Sequence, residues 1–394
     1  MTDLILAPRI VTAHHDLRDG WLAVRDGVVA GVGTVVGAGI PSAFADAPVT
    51  RVDGVLVPGL VDIHAHGALG VDFAAASAPD ARRAAEHHAA RGTTALVASL
   101  ATGTPDATAA AIARLAPLVA DGTLVGLHLE GPWLSPERRG AHAAALLHAP
   151  GPDEVRRYLD IAAGSIRMVT LAPELPGAMT TIPVLVAAGV VVAIGHTDCD
   201  AETARRAVDA GARVATHLFN GMPPLHHRTP GPVGVALADD RVVLELIVDD
   251  HHLHPVTVDA VHAAGAHRVA LVSDAMAATG CADGPYRIAG SDVVVAGGVA
   301  MLADGSSLAG STITVADGVA RYRNATGADL PALVRASSTT AGALLGLPPA
   351  LTEGAPADAV VLDPDTCLPA ARPGPPTAGT PRTVLRRGRW LASS

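Results

Sequence analysis

Five stretches of the 394-residue chain end in side chains able to bind a cation or move a proton. They are Asp62-Ile-His64-Ala-His66, His128-Leu-Glu130, Gly195-His196-Thr197, Thr216-His217 and Ser273-Asp274. Imidazole nitrogen and carboxylate oxygen, with no cysteine among them, form a donor set that suits Zn(II) and tolerates Fe(II), Mn(II) or Co(II). A divalent ion so held lowers the pKa of bound water from about 15.7 towards about 7 and polarises a carbonyl, the two needs of amide hydrolysis. Alternate residues of a strand share a face, so His64 and His66 can converge on one cation. Asp274 has no basic neighbour in sequence and is the natural proton shuttle. Each residue alone also fits a bland role: a paired core carboxylate for Glu130, satisfied polar groups for His196 and His217, a helix N-cap for Asp274. Five such ends together favour one metal hydrolase site over five separate accidents.

The elements needed to bring them together are legible. Eight short apolar runs, Leu60 to His64, Thr94 to Leu100, Leu124 to Glu130, Ile166 to Ala172, Val190 to His196, Val214 to Phe219, Val242 to Val248 and Val269 to Asp274, read as strands. Ala-rich helical segments at 80 to 91, 105 to 119, 153 to 163, 200 to 210 and 256 to 265 fall between them. Eight strands alternating with helices predict a (β/α)8 TIM-like barrel, whose active site lies at the carboxyl ends of its strands. Both ends of the chain instead show short strand-like runs, with Asp26-Gly27 as a hairpin signal and a Pro- and Gly-rich stretch at 369 to 380. The expected organisation is an α/β chain: a catalytic barrel over 57–347, and a small β-sandwich domain from 1–56 and 348–394.

Composition removes other classes. The net charge is −10, without a basic run, which argues against nucleic-acid or membrane-surface partners. All 28 basic Lys-plus-Arg residues are arginine, so a P-loop, a Schiff-base lysine and a carbamylated-lysine bridge between metals are excluded together. Cys199, Cys281 and Cys367 are odd in number and far apart, which fits a reducing compartment. With no secretory leader and no apolar stretch long enough to span a bilayer, a cytoplasmic protein is expected.

Pro58-Gly-Leu-Val-Asp-Ile-His-Ala-His-Gly67 resembles the opening motif of the amidohydrolase superfamily. Leu127-His-Leu-Glu-Gly-Pro-Trp133, Gly140-Ala-His142, Leu171-Ala-Pro-Glu174, Gly195-His-Thr197, Thr216-His-Leu-Phe-Asn-Gly-Met222, Val272-Ser-Asp-Ala275 and Leu308-Ala-Gly-Ser311 resemble, in order and spacing, the N-acetylglucosamine-6-phosphate deacetylases. The resemblance implies a main metal on Glu130, His196 and His217, with Asp274 as general base and acid. Some members lack the first-strand histidines and use one ion. Here His64 and His66 are present, so one or two divalent ions per chain are expected, zinc foremost, with Glu130 as bridge. The resemblance also assigns sugar and phosphate recognition to His142, Asn220, the backbone of Gly221, Arg228 and His252, in a homodimer. A phosphorylated amino sugar is the implied substrate. The implied reaction converts N-acetylglucosamine 6-phosphate to glucosamine 6-phosphate and acetate in amino-sugar catabolism. The rivals are a deacetylase for the N-acetylgalactosamine epimer and a noncatalytic binding protein on the same fold; the intact set of Glu130, His196, His217 and Asp274 argues against the second. Asp250-His251 and Phe219 depart from the family pattern near the sugar. His128 is expected to support Glu130, whereas His14, His15, His87, His88, His148, His262 and His267 are expected at the surface.

Overall fold

A computed structural model describes residues 2–37, 39–369 and 383–391; most of the Pro- and Gly-rich stretch at 369 to 380 lies outside the described residues. Eight parallel strands, Leu60–Ala65, Thr93–Ala101, Gly126–Glu130, Ile166–Leu171, Val191–Ile194, Val214–Ala215, Val243–Ile247 and Val269–Val272, pair in chain order. A bridge between Ala65 and Ala275 joins the first strand to the end of the last. Each expected strand is present, within a few residues of its expected bounds. The sixth is the shortest, because the chain leaves the ladder just after Ala215.

Inside the barrel, Val61, Ile63, Ala95, Val97, Met168, Ala193, Val214, Ile247, Ala270 and Val272 form one buried apolar cluster. Polar side chains take over towards the carboxyl ends, so the apolar cluster is a floor beneath the candidate site. The five expected helices are observed as Ala78–Ala90, Pro105–Ala120, Pro152–Ala162, Ala201–Asp209 and Pro255–Gly265. Four begin at a capping side chain: Ser77 accepts from the Asp80 N–H, Thr104 from the Ala107 N–H, Asp200 from the Thr203 N–H and His254 from the Val256 N–H. Among the described residues, no helix is long and apolar enough to cross a membrane.

Both ends of the chain contribute to a second, eight-stranded sheet in which Thr2–Val11 lies between Asp16–Arg25 and Val55–Pro58, and Ala359–Leu362 extends the sheet beyond Val55–Pro58. The Asp26-Gly27 hairpin forms, with φ of 53° and 84° at the two turn residues, the left-handed pair that a two-residue hairpin requires. Pairing in this sheet runs through Pro58, opposite Ala359, and the chain then passes through Gly59 into the first barrel strand. A three-stranded antiparallel sheet, Gly284–Ile288, Ser291–Ala296 and Val299–Leu302, follows the eighth barrel strand and was not expected from the sequence.

Candidate active site

The carboxyl ends of the barrel strands surround a cavity of about 180 Å³. His66, Glu130, His142, His196, His217, Asn220, Gly221, His252 and Asp274 all line it, and His64 lies fully buried beneath. Arg228 does not line it: within a single chain this residue is exposed on the loop that precedes the helix Gly231–Ala238.

Glu130, His196 and His217 form a tight triangle. Glu130 Oε1 lies 3.2 Å from His196 Nε2 and 3.2 Å from His217 Nε2, and the two Nε2 atoms are 3.1 Å apart. Three ligand atoms about 2.0–2.1 Å from a tetrahedral ion would stand about 3.3–3.4 Å apart, so the spacing suits one cation. Tautomers decide the point. His196 Nδ1 donates to the Arg138 carbonyl at 2.8 Å and His217 Nδ1 to the Asn220 carbonyl at 3.1 Å. With the protons on Nδ1, two bare Nε2 lone pairs and a carboxylate oxygen face one another, an arrangement that a cation relieves.

A second triangle shares the same carboxylate. His64 Nε2 and His66 Nε2 are 3.3 Å apart, and Asp274 Oδ1 lies 3.5 Å and 3.3 Å from them. Glu130 Oε2 completes it at 3.0 Å from His66 Nε2. Simple strand alternation does not bring His64 here, because Val61 and Ile63 already point into the interior. A register shift between Asp62 and Ala65 turns it inward.

Burial opposes charge on Glu130, yet His64, His142, His196 and His217 hold its carboxyl well below the usual range. The same contest, with His64 and His66 as counter-charges, lowers the Asp274 carboxyl and leaves it ionised to accept a proton. Burial lowers the basicity of His66, but Asp274 and Glu130 outweigh it and push the pKa up to about 9. A consequence is measurable. With its pKa at about 9, His66 would carry a proton below that pH, one that any ion bound at this triangle would have to displace. Ion uptake at the His64/His66 triangle should therefore release protons and tighten as pH rises from 6 towards 9. Calorimetric titrations in buffers of different ionisation enthalpy read this directly; uptake with no proton release would contradict it.

The surroundings fix these groups. His128 accepts or donates at both nitrogens, to Ser99 Oγ at 2.9 Å and Thr170 Oγ1 at 2.8 Å, and its ring meets that of His64 edge-on at 4.6 Å. It therefore supports the His64 ring and makes no direct hydrogen bond to Glu130. Asp62, fully buried, accepts from Ser273 Oγ at 2.5 Å and from the His64 N–H at 3.1 Å, tying the first strand to the turn that presents Asp274. His196, His217 and Asp274 sit in left-handed backbone, with φ of 46°, 28° and 48°, a conformation that costs about 1–3 kcal/mol for such residues and concentrates at functional sites. Glycine is required over His196: a Cβ on Gly221 (φ 60°) would lie 2.9 Å from its Nδ1. His252 is positioned by Asp249, whose Oδ2 accepts from Nδ1 at 2.8 Å.

Sequence reasoning missed several members. Glu245 is a fully buried carboxylate inside the barrel whose only signal was a lone acid within the apolar run Val242 to Val248. Ile288 and Leu308, brought in by the unexpected three-stranded sheet and the loop after it, form an apolar part of the cavity wall. His88, expected at the surface, is fully buried and hydrogen-bonds the Gly67 carbonyl at 3.0 Å.

The sequence pattern of the amidohydrolase family matches residues 55–391, which includes the whole barrel. The chain belongs to the amidohydrolase family. This family is metal-dependent, in keeping with the two buried donor groups. A Bacillus subtilis relative named N-acetylglucosamine-6-phosphate deacetylase is 34% identical over 90% of this chain and 92% of its own length. An Escherichia coli relative named N-acetylgalactosamine-6-phosphate deacetylase is 35% identical over 77% and 80% of the two chains. Among solved structures, an aspartate-to-alanine mutant of the Mycobacterium smegmatis N-acetyl-D-glucosamine-6-phosphate deacetylase, in complex with N-acetyl-D-glucosamine-6-phosphate, is 40% identical, covers 99% of both chains and superimposes with a TM-score of 0.91.

Proposed function

We propose that the chain hydrolyses the acetamide of N-acetyl-D-glucosamine 6-phosphate, giving D-glucosamine 6-phosphate and acetate in amino-sugar catabolism. The observation that carries this reading is the pair of donor triangles sharing Glu130, with Asp274 beside them in one buried cavity. The resemblance to deacetylases over nearly the whole chain supports the substrate. Glu130, His196 and His217 would hold the main ion, and His64 and His66 a second, with zinc favoured by the nitrogen and oxygen donors. When bound, a divalent ion supplies Lewis acidity towards the amide carbonyl and a lowered water pKa.

The remaining steps belong to side chains. Asp274, ionised, takes the proton of the attacking water and returns it to the departing amine. His142 remains neutral, because burial foremost drives its pKa down to about 4. Its Nδ1 lies 2.8 Å from Thr102 Oγ1 and its Nε2 3.3 Å from Glu130 Oε2. Facing a carboxylate, Nε2 carries the proton and can donate to an amide oxygen as negative charge develops there. Asn220, the Gly221 backbone and His252 form the polar part of the wall that would orient the sugar.

The phosphate must be held without lysine. Arg228, exposed and outside its own chain's cavity, would serve the cavity of a second copy in a cytoplasmic homodimer. An arginine–phosphate contact is worth roughly 1.5–3 kcal/mol, or about 10- to 150-fold. Arg228→Met should raise KM by that order on the phosphorylated substrate and leave the weak activity on unphosphorylated N-acetylglucosamine nearly unchanged. Equal losses on both substrates would remove Arg228 from the phosphate site.

The Escherichia coli relative gives a second reading, the N-acetylgalactosamine epimer, at similar identity. Acetate release from the two 6-phosphates side by side tests the proposal. A kcat/KM at least tenfold higher for the glucosamine epimer is expected; preference for the other epimer would replace the substrate, and no acetate from either would end the deacetylase reading.

A further inference from the structure

Glu245 stands outside every role assigned so far. It is on the seventh strand, fully buried, and its side chain reaches the wall shared by the two donor triangles. Oε2 takes two hydrogen bonds: His64 Nδ1 lies 3.3 Å away and the His217 N–H donates at 3.1 Å. The Glu245 carbonyl accepts the next amide, Leu218 N–H, at 2.9 Å. Oε1 is buried and has no hydrogen-bond partner among the described residues.

These contacts answer two structural needs. The sixth strand stops at Ala215, so the segment that carries His217, in left-handed backbone, leaves the ladder without its usual acceptors. Glu245 provides two acceptors in their place, one from its side chain and one from its main chain. His64 is a ligand candidate only if Nε2 is bare, which requires its proton on Nδ1. A carboxylate facing Nδ1 enforces that tautomer, since it can only accept. The His64 and His217 rings lie nearly parallel, 5.6 Å apart, so one carboxylate fixes a member of each triangle against the other.

We infer that Glu245 is the positioning residue that holds the His64 ring in its metal-binding tautomer and, through the His217 N–H, fixes the backbone that presents the His217 ring, and so couples the two halves of the metal centre. The inference rests on the metal reading of the site given above.

The test is ion affinity, measured by competition with a chromophoric chelator using zinc alone, in wild type and Glu245→Gln. The amide can still accept one N–H, but its NH2 group, when turned to His64, moves the proton to Nε2 and blocks the ligand position. A 10- to 100-fold loss of affinity is expected, larger for the second ion than for the first, as for other groups that orient metal ligands. Unchanged affinity for both ions in the variant overturns the inference. Wild type that binds fewer than two ions overturns the two-ion reading instead, and Glu245 is then judged on the main ion through His217. If Glu245→Gln does not fold, nitrogen-15 shifts of the His64 ring in zinc-loaded wild type decide: a proton on Nδ1 supports the inference, and a bare Nδ1 overturns it.

Discussion

Glu130→Gln should lower bound metal to well under one ion per chain and reduce kcat by about 10³-fold or more. The carboxylate touches every histidine of both triangles, and His142 besides: His196 and His217 through Oε1 at 3.2 Å, His66 and His142 through Oε2 at 3.0 and 3.3 Å, and His64 through Oε1 at 3.3 Å. The amide removes the one anion common to the two halves. Its NH2 group would also donate to bare Nε2 lone pairs, satisfying them without a cation. Lewis-acid stabilisation is worth several kcal/mol, and about 4 kcal/mol corresponds to the stated factor. Elemental analysis of the purified variant alongside acetate release checks both halves of the expectation. A variant with a full complement of metal would show that Glu130 is a partner of the histidines and not the bridge.

Asp274→Asn should keep the main ion and the fold while lowering kcat by at least about 10²-fold, the usual scale for loss of a general acid–base group. The turn survives because its fixed points are elsewhere: Asp62 holds Ser273, and the Asp274 N–H donates to the His64 carbonyl at 2.8 Å. The asparagine amide cannot take a proton from water at neutral pH. Oδ1 also belongs to the second triangle, so the variant has to be assayed at saturating metal, where weakened uptake no longer contributes. Near-normal turnover in the metal-loaded variant would transfer the proton shuttle to another group.

How far the sequence carries depends on whether a feature is periodic and local or created by distant packing. The barrel strands are apolar runs bounded by turns, and the ligand candidates are the first polar residues after those runs; both are visible in one dimension. Convergence of His64 with His66 was foreseen on strand alternation, but a bulge between Asp62 and Ala65 achieves it, which no pattern signals. His88 is buried with Ala81, Ala84 and Ala85 on one helix face, a spacing present in the sequence and overridden there by the residue's polarity. The Gly297-Gly298 turn, with φ of 59° and 78°, is a hairpin signal flanked by Val293 to Ala296 and Val299 to Leu302, so the sequence carries a cue for the three-stranded sheet although that sheet was not expected. That Ile288 and Leu308 would then close over the cavity was not. Glu245 lay in the open as one acid in an apolar strand, but its partners, His64 and His217, are 181 and 28 residues away. Arg228 marks the limit of a single chain: its motif is intact, but within one chain it is exposed and does not line the cavity, and its proposed role needs a second copy.

This cavity is expected to remove acetate from a phosphorylated acetamido sugar and to need a divalent ion on Glu130, His196 and His217 to do so. Acetate released from N-acetylglucosamine 6-phosphate by chelator-stripped protein, before and after zinc is returned in steps, tests it most directly. At least about 10³-fold less activity is expected in the stripped protein, regained in proportion to bound zinc as the first ion per chain is restored. Full acetate release from protein shown to be metal-free would contradict it.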